Sequence, residues 1–328
     1  MGKRSVFIVG AVIILLIPPV MSEASDDAFG TASLGDPLQL NLRYPVGTTL
    51  YYRLLRHSDM FNMDGSKFGQ HEAIAYFSRT RLEDDERGRV GERFTWKYFA
   101  FGQSIVPGEP ITMSPLKEAE DFSLICSVQD EEILTKFDFS RLPRTLEGLW
   151  FMIMSWDAIT FDGPVRPQEH FDFPSAAPIG TEVKSTRGAH DFVFAYPPIM
   201  DGSSYSFSGN NRSMVLGITR VKDIPCAIIE FYDSGNVIHM NMSFSAVKSE
   251  SRGMEHFWGK TYLSLEDGSV VKGELVAPVM QTQDLQMPGQ SKPERMEYLV
   301  MQKLELEILS PAEFESEIKE IRETASDM

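Results

Sequence analysis

Residues 238–246 read IHMNMSFSA, a stretch in which apolar and polar side chains alternate strictly. Successive side chains of an extended strand point to opposite faces, whereas an α-helix repeats its apolar residues every three or four positions. Five apolar side chains therefore share one predicted face: Ile238, Met240, Met242, Phe244 and Ala246. The stretch predicts a β-strand with one face against a hydrophobic core.

The same alternation recurs along most of the chain from residue 38 onward. It predicts further strands at residues 48–56, 72–82, 93–101, 204–208, 213–219 and 297–309. The charged run at residues 83–89 interrupts the apolar pattern between two of these strands, as a solvated hairpin tip would.

Two turn sequences predict β-hairpins. The strand at residues 227–232 is followed by Asp233-Ser234-Gly235-Asn236, which predicts a turn before the strand at 238–246. A second hairpin is predicted at residues 262–276, around the sequence EDGS at 266–269. A three-residue loop with a left-handed Gly268 would pair Leu263 with Val271, and a two-residue loop would shift this pairing by one, so the register stays open.

Two segments predict helices instead. Residues 144–159, RTLEGLWFMIMSWDAI, follow Pro143 and carry apolar side chains around most of the circumference, which indicates a helix covered on several sides. The sequence SPAE at residues 310–313 is a capping box with proline in the first turn. An apolar stripe follows it: Phe314, Ile318, Ile321 and Ala325. The C-terminal residues 310–328 are thus predicted to contain a short amphipathic helix.

The N-terminal segment has the pattern of an export signal. Lys3 and Arg4 precede a run without charges at residues 5–17, which is too short to cross a hydrocarbon layer of about 30 Å as a helix. We predict a signal peptide at residues 1–24 and a polar linker at residues 25–37, and we retain an uncleaved signal anchor as the alternative. The predicted location is secreted or periplasmic, with membrane contact only through the signal segment before cleavage.

The chain contains two cysteines, Cys126 and Cys226. In an exported protein they could form a disulfide that closes a loop of about 100 residues, which would stabilise the fold by up to about 5 kcal/mol. Cys226 lies in an apolar run, so two buried thiols are the alternative. Both interpretations stay open at this point.

Two short echoes suggest an internal repeat. PVGT at residues 45–48 recurs as PIGT at 178–181, and MDGS at 63–66 recurs as MDGS at 200–203. We predict a first β unit at residues 38–165, which includes the helix at 144–159, and a second at residues 166–309. Duplication and chance convergence on two turn sequences are both consistent with the echoes.

The order of these segments resembles that of a known class of proteins. The segments that carry this resemblance are, in order, the signal peptide, YPVGT at 44–48, the apolar helix, APIGT at 177–181, VKDIPCAII at 221–229 and GKTYLSLEDG at 259–268. The chain is similar to exported bacterial β-rich proteins of unknown function. More distantly, it resembles the open half-barrel of periplasmic lipoprotein carriers. The resemblance implies a strongly curved antiparallel sheet with a helix against its concave face, and it carries over no functional residue.

The fold class that follows is mainly β, or β-rich α+β. We expect two curved antiparallel sheet units, with duplication open as above, a connecting apolar helix and a C-terminal amphipathic helix.

The composition and the motifs of the sequence argue against several classes of function. The 328-residue chain has 31 Lys and Arg against 47 Asp and Glu, a net charge of −16, which argues against nucleic-acid binding. The nucleophile elbow G-x-S-x-G, the phosphate-binding loop G-x-x-x-x-G-K-[ST] and the zinc motif H-E-x-x-H do not occur in the sequence. No catalytic, metal-binding or cofactor-binding residue is predicted, and an enzymatic role is left open as the less favoured interpretation.

The histidines do not form a recognisable site in the sequence. His71-Glu72 reads more simply as an exposed strand position than as a metal site. Glu169-His170 and Glu255-His256 pair neighbouring residues that would point to opposite faces of a strand, which argues against acid–base catalysis by either pair.

We therefore expect an exported, non-enzymatic binding protein with an apolar groove for a lipid, a lipidated protein or a hydrophobic peptide. The predicted groove residues are Trp150, Met152, Met154, Met240, Met242 and Phe244. The alternatives are a structural or interaction protein of the cell envelope and a hydrolase with an unrecognised site. The predicted partners are accordingly a lipid or an envelope protein, with no cofactor and no nucleic acid.

Overall fold

The computed structural model describes residues 37–86, 88, 90–106, 108–127, 142–161, 176–184, 190–194, 203–207, 210–244 and 247–326. The predicted signal peptide, almost all of the predicted linker and the predicted boundary near residue 165 lie outside these residues.

The described residues form fifteen strands and two α-helices. The first six strands are β1 (Leu38–Gln39), β2 (Thr49–Asn62), β3 (Lys67–Arg81), β4 (Glu92–Ser104), β5 (Ser114–Pro115) and β6 (Ser123–Cys126). Helix α1 (Leu146–Thr160) is followed by the short strands β7 (Ala176–Ala177), β8 (Glu182–Lys184), β9 (His190–Phe194) and β10 (Ser203–Phe207). The long strands β11 (Asn210–Val221), β12 (Ile224–Phe244), β13 (Val247–Ser264), β14 (Val270–Gln286) and β15 (Glu294–Leu309) precede α2 (Pro311–Ser326).

Thirteen of the described strands belong to one open antiparallel sheet. Its order is β5-β4-β3-β2-β15-β14-β13-β12-β10-β9, with β6 paired to β4, β11 to β12 and β8 to β11. The prediction of a mainly β fold with two helices is confirmed. The strands assigned to the two units are not separate sheets, however, because β15 pairs with β2 along twelve residue pairs from Tyr298↔Asn62 to Leu309↔Tyr51.

The predicted turn at Asp233-Ser234-Gly235-Asn236 is wrong. β12 runs through it as one strand of 21 residues, and the pairing with β13 shifts between Asp233 and Asn236. Gly235 takes a positive φ of 77° there, which glycine adopts without strain. Because β13 continues alongside the whole of β12, the extra residues form a β-bulge instead of reversing the chain.

The second predicted hairpin is confirmed. It joins β13 to β14, and Leu263 pairs with Val270, after a register shift that follows the Tyr262↔Lys272 pair. This is the pairing shifted by one residue from Leu263↔Val271, as given for the two-residue loop, although five residues, 265–269, lie between the two strands. Gly268 has a φ of 73° in this loop.

Both predicted helices are present, with slightly different starts. The Thr145 hydroxyl accepts a hydrogen bond from Gly148 N at 3.4 Å, so α1 begins at Leu146 rather than at residue 144. At α2, Ser310 N donates to Glu313 Oε2 at 2.7 Å and Glu313 N donates to Ser310 Oγ at 3.2 Å, which confirms the capping box. Within the described part of the chain, neither helix has the length and apolar composition needed to cross a lipid bilayer.

The two helices pack on opposite faces of the sheet. Tyr52 belongs to the large core that contains the buried residues of α1, whereas the neighbouring Tyr51 packs with Phe314 and Ile318 of α2. Adjacent strand residues point to opposite faces, so each helix covers its own side.

Aromatic contacts fix α1 against β4 and its neighbours. The ring of Phe151 lies 5.5 Å from Trp96, 5.3 Å from Phe99 and 5.3 Å from Phe122, each in an edge-to-face arrangement. Such pairs contribute about 0.5–1.5 kcal/mol each beyond their buried area. These aromatic contacts stabilise the packing of α1 against β4.

The first sequence echo corresponds to two similar turns. Thr48 N donates to Pro45 O at 3.1 Å, and Thr181 N donates to Pro178 O at 3.1 Å. In the second echo, residues 63–66 turn between β2 and β3, while residues 200–202 lie outside the described residues. The division into two related units stays a prediction.

Candidate functional site

A cavity of about 370 Å³ lies between α1 and the face of the sheet that this helix covers. Residues of β2, β3, β4, β12, β13, β14 and β15 form its wall on the sheet side. Ligand pockets in proteins commonly measure about 300–1,000 Å³. The volume is therefore sufficient for a small organic molecule.

One part of the wall is apolar. Met60, Val300 and Val279 occupy directly paired positions on β2, β15 and β14, and Ile238 of β12 packs with the two valines. From the helix, six apolar side chains line the same space: Leu146, Leu149, Trp150, Met152, Ile153 and Trp156. Binding of the apolar part of a ligand against these side chains removes it from water, which contributes favourable free energy.

A buried ion pair forms another part of the wall. Nη1 of Arg56 on β2 contacts Oδ2 of Asp157 on α1, and the two side chains are 6% and 9% exposed. Arg56 also donates to Gln302 Oε1 on β15. Burial raises the pKa of Asp157, and the positive charge of Arg56 opposes this rise. The pair links α1 to the sheet and has no net charge when both groups are ionised.

Trp150 covers the polar groups of β2 and β3. Its ring centre lies 4.3 Å from that of His71 and 5.1 Å from that of Phe101, and Arg56 Cζ lies 5.1 Å from the Trp150 ring centre. Burial, assisted by the charges of Arg56 and His57, lowers the pKa of His71 to about 3. His71 is therefore neutral at physiological pH.

Some polar atoms in this wall are buried without a hydrogen bond. Among the described residues, no partner is found for Nε of Arg56, Nε2 of His71 or Oγ of Ser251. The three residues are 6%, 8% and 1% exposed. An unsatisfied buried polar group costs about 1–3 kcal/mol, so a ligand that supplied partners would recover stability.

Four of the six residues predicted to line a groove lie on the cavity wall: Trp150, Met152, Met240 and Met242. Met154 is fully buried in the core and is not part of the wall. The side chain of Phe244 lies outside the described residues. The wall is also less apolar than predicted, because Arg56, His71 and Asp157 belong to it.

The cysteines are two separate buried thiols, which agrees with the second of the two interpretations from the sequence. Cys226 Sγ donates to Ile224 O at 3.3 Å. Burial raises the pKa of the Cys226 thiol to about 11, so it is protonated at neutral pH.

The histidines occupy different environments. His71 is buried, contrary to the expectation of an exposed strand position, because its side chain faces α1. His57 contacts Asp59 and Glu72, and His239 contacts Glu250. The side chains of His170 and His190 lie outside the described residues.

Glu255 and His256 make separate contacts. Nδ1 of His256 accepts a hydrogen bond from Gly235 N at 3.2 Å, while Glu255 lies on the cavity wall. In the described ranges, no group of three His, Cys, Asp or Glu residues is arranged to hold a metal ion.

The polar part of the site was not predicted from the sequence. Arg56 and His71 lie on different strands, and their contact with Trp150 depends on where α1 docks. One available signal was the alternation along β2, which places Arg56 on the same face as Leu54 and Met60.

No protein-family profile and no curated protein matches the sequence. Among solved structures, a DUF1329 family protein from Desulfovibrio piger is 10% identical and has a TM-score of 0.15, with 81% of this chain and 90% of that chain covered. The COG4313 outer membrane channel from Pseudomonas putida is 7% identical with a TM-score of 0.17, and the coverage is 86% and 100%. Similarities at this level carry no argument about fold or function.

Proposed function

We propose that the protein is a non-enzymatic binding protein that holds an amphiphilic small molecule, such as a lipid, in the cavity between α1 and the sheet. The observation that carries this proposal is the cavity of about 370 Å³, whose wall combines an apolar surface with buried polar atoms. Ligand sites commonly have this composition, with a few polar groups that fix orientation.

The apolar wall supports a ligand with a hydrocarbon body. Met60, Met240 and Met242 have flexible, polarisable side chains that adapt to ligands of different shape. Removing a methylene group from water contributes about 0.8 kcal/mol, so a chain of several carbons would provide most of the affinity.

The location belongs to the same proposal. A protein exported through the signal peptide at residues 1–24 would meet lipids and lipidated proteins outside the cytoplasm. N-terminal sequencing of the mature protein tests this part, since a start at residue 25 supports export and an intact leader contradicts it.

Titration with N-phenyl-1-naphthylamine, a neutral apolar dye that fluoresces when it leaves water, tests the binding function. The wild type is expected to bind the dye, and Val279→Trp is expected to weaken binding at least about tenfold because the larger side chain fills part of the cavity.

Val276→Trp is the matched control, because Val276 lies on the same strand and is 37% exposed. It should bind the dye like the wild type. Absence of dye binding by the wild type, or equal binding by both variants, would contradict the proposal.

A further inference from the structure

The polar atoms beneath Trp150 identify which end of a ligand the cavity would recognise. Arg56 and His71 both contact the Trp150 ring, at 5.1 Å and 4.3 Å, so their unsatisfied nitrogen atoms lie in one small region of the wall. Ser58 lies in the same region, because it is paired directly with His71 and follows Arg56 by two residues on β2. Its hydroxyl is also buried without a hydrogen-bond partner among the described residues.

The donors and acceptors available there suit an uncharged oxygen. Nε–H of Arg56 can only donate a hydrogen bond, whereas Nε2 of a neutral histidine accepts or donates according to its tautomer. A ligand hydroxyl would accept from Arg56 and donate to His71. A ligand carbonyl would accept from both.

The charges in the wall disfavour an ionic ligand group. Asp157 already neutralises Arg56, so a carboxylate placed there would add an uncompensated buried charge. An ammonium group would likewise add a buried charge without a partner, because the pair of Arg56 and Asp157 has no net charge.

We propose that Arg56 and His71 bind the uncharged hydroxyl or carbonyl group of a ligand whose hydrocarbon body lies along Met60, Val279 and Val300. This inference rests on the proposed function and specifies the chemical class of the ligand as a neutral amphiphile. The Trp150 ring lies against both side chains, so it moves aside when the oxygen binds. Side-chain rearrangements of this kind are common on binding.

A matched series of compounds that share a ten-carbon chain tests the inference. Displacement of N-phenyl-1-naphthylamine at pH 8 is measured with 1-decanol, methyl decanoate, decanoate and decyltrimethylammonium. The two neutral compounds are expected to bind at least about tenfold more tightly than the two ions, because an unpaired charge in the site costs more than about 1.4 kcal/mol.

Two variants test the assigned residues. His71→Phe keeps an aromatic ring beneath Trp150 but removes Nε2, and Arg56→Lys keeps the positive charge but removes Nε–H. Each is expected to weaken 1-decanol binding about tenfold more than it weakens dye binding. Thermal unfolding verifies that each variant is folded.

Ser251→Ala is the control variant. Ser251 is also a buried hydroxyl without a partner among the described residues, but β15 and β14 separate its strand from β2, a distance of about 14 Å. It should leave the preference for neutral compounds unchanged.

The outcomes separate the two proposals. Equal affinities for all four compounds, or tightest binding of either ion, would overturn the inference while dye binding still supports the proposed function. Failure of the wild type to bind the dye at all would overturn both.

Discussion

Removing the charge of Asp157 tests how α1 is attached to the sheet. Asp157→Asn leaves the guanidinium of Arg56 buried at 6% exposure without its carboxylate partner. Breaking a buried ion pair in this way costs about 3–5 kcal/mol. Arg56 keeps its hydrogen bond to Gln302 and its position over Trp150, so we expect the lower end of the range, about 3 kcal/mol.

Thermal and urea unfolding measure this loss. A cost of about 3 kcal/mol corresponds to a decrease in the melting temperature of about 4–5 °C for a chain of this size. The double variant Arg56→Met/Asp157→Leu removes both charges and should recover most of the lost stability, because apolar residues of similar volume often replace buried ion pairs without cost.

Asp121→Asn is the control for Asp157→Asn. Asp121 forms an ion pair with Lys97 in which the side chains are 70% and 43% exposed, and breaking it should cost at most about 1 kcal/mol. A cost below about 1 kcal/mol for Asp157→Asn, or no recovery in the double variant, would refute the assignment of the buried pair as the link between α1 and β2.

Three further predictions concern stability, each measured by thermal or urea unfolding. Ser310→Ala removes the cap of α2 and should cost about 1 kcal/mol; an unchanged melting temperature would contradict the capping role. Gly268→Ala forces a side chain to a φ of 73° and places its Cβ 1.9 Å from Leu42 O. Gly289→Ala is the control, because its Cβ meets open space at a similar φ of 84°. Gly268→Ala should cost about 1–3 kcal/mol more than the control, and equal costs would contradict the close approach to Leu42. His71 is neutral in the folded protein but binds a proton below about pH 6.5 in the unfolded chain, so stability should fall as the pH decreases from about 6.5 towards 3. The loss of folding free energy should be about 2 kcal/mol at pH 5. His71→Phe should abolish this loss, and an unchanged pH dependence in the variant would refute the prediction.

Most of the fold follows from local patterns. Strict alternation predicts the strands because it depends only on the opposite orientation of neighbouring side chains, and the capping box at Ser310 predicts the start of α2 from contacts within four residues. The prediction of a hairpin turn around Gly235 was wrong because the same types of residue occur in β-bulges and in turns that reverse the chain. The partner strands, which are far away in the sequence, decide between them.

The candidate site could be predicted only in part. Met240 and Met242 follow from alternation on one strand, and Trp150 follows from the apolar helix. Arg56 and His71 did not, because charged and polar residues are usually assigned to the exposed face of a strand. Their burial depends on the ion pair with Asp157 and on the contact with Trp150, which connect residues about 80–100 positions apart and have no local signal.

Anomalous diffraction from crystals grown with 10-bromodecan-1-ol would locate a bound amphiphile in the protein directly. A bromine peak between α1 and strands β12–β15, with the hydroxyl end directed towards Trp150, is the predicted result. A bromine peak only on the outer surface, or none in crystals saturated with the compound, would show that the cavity is not a binding site.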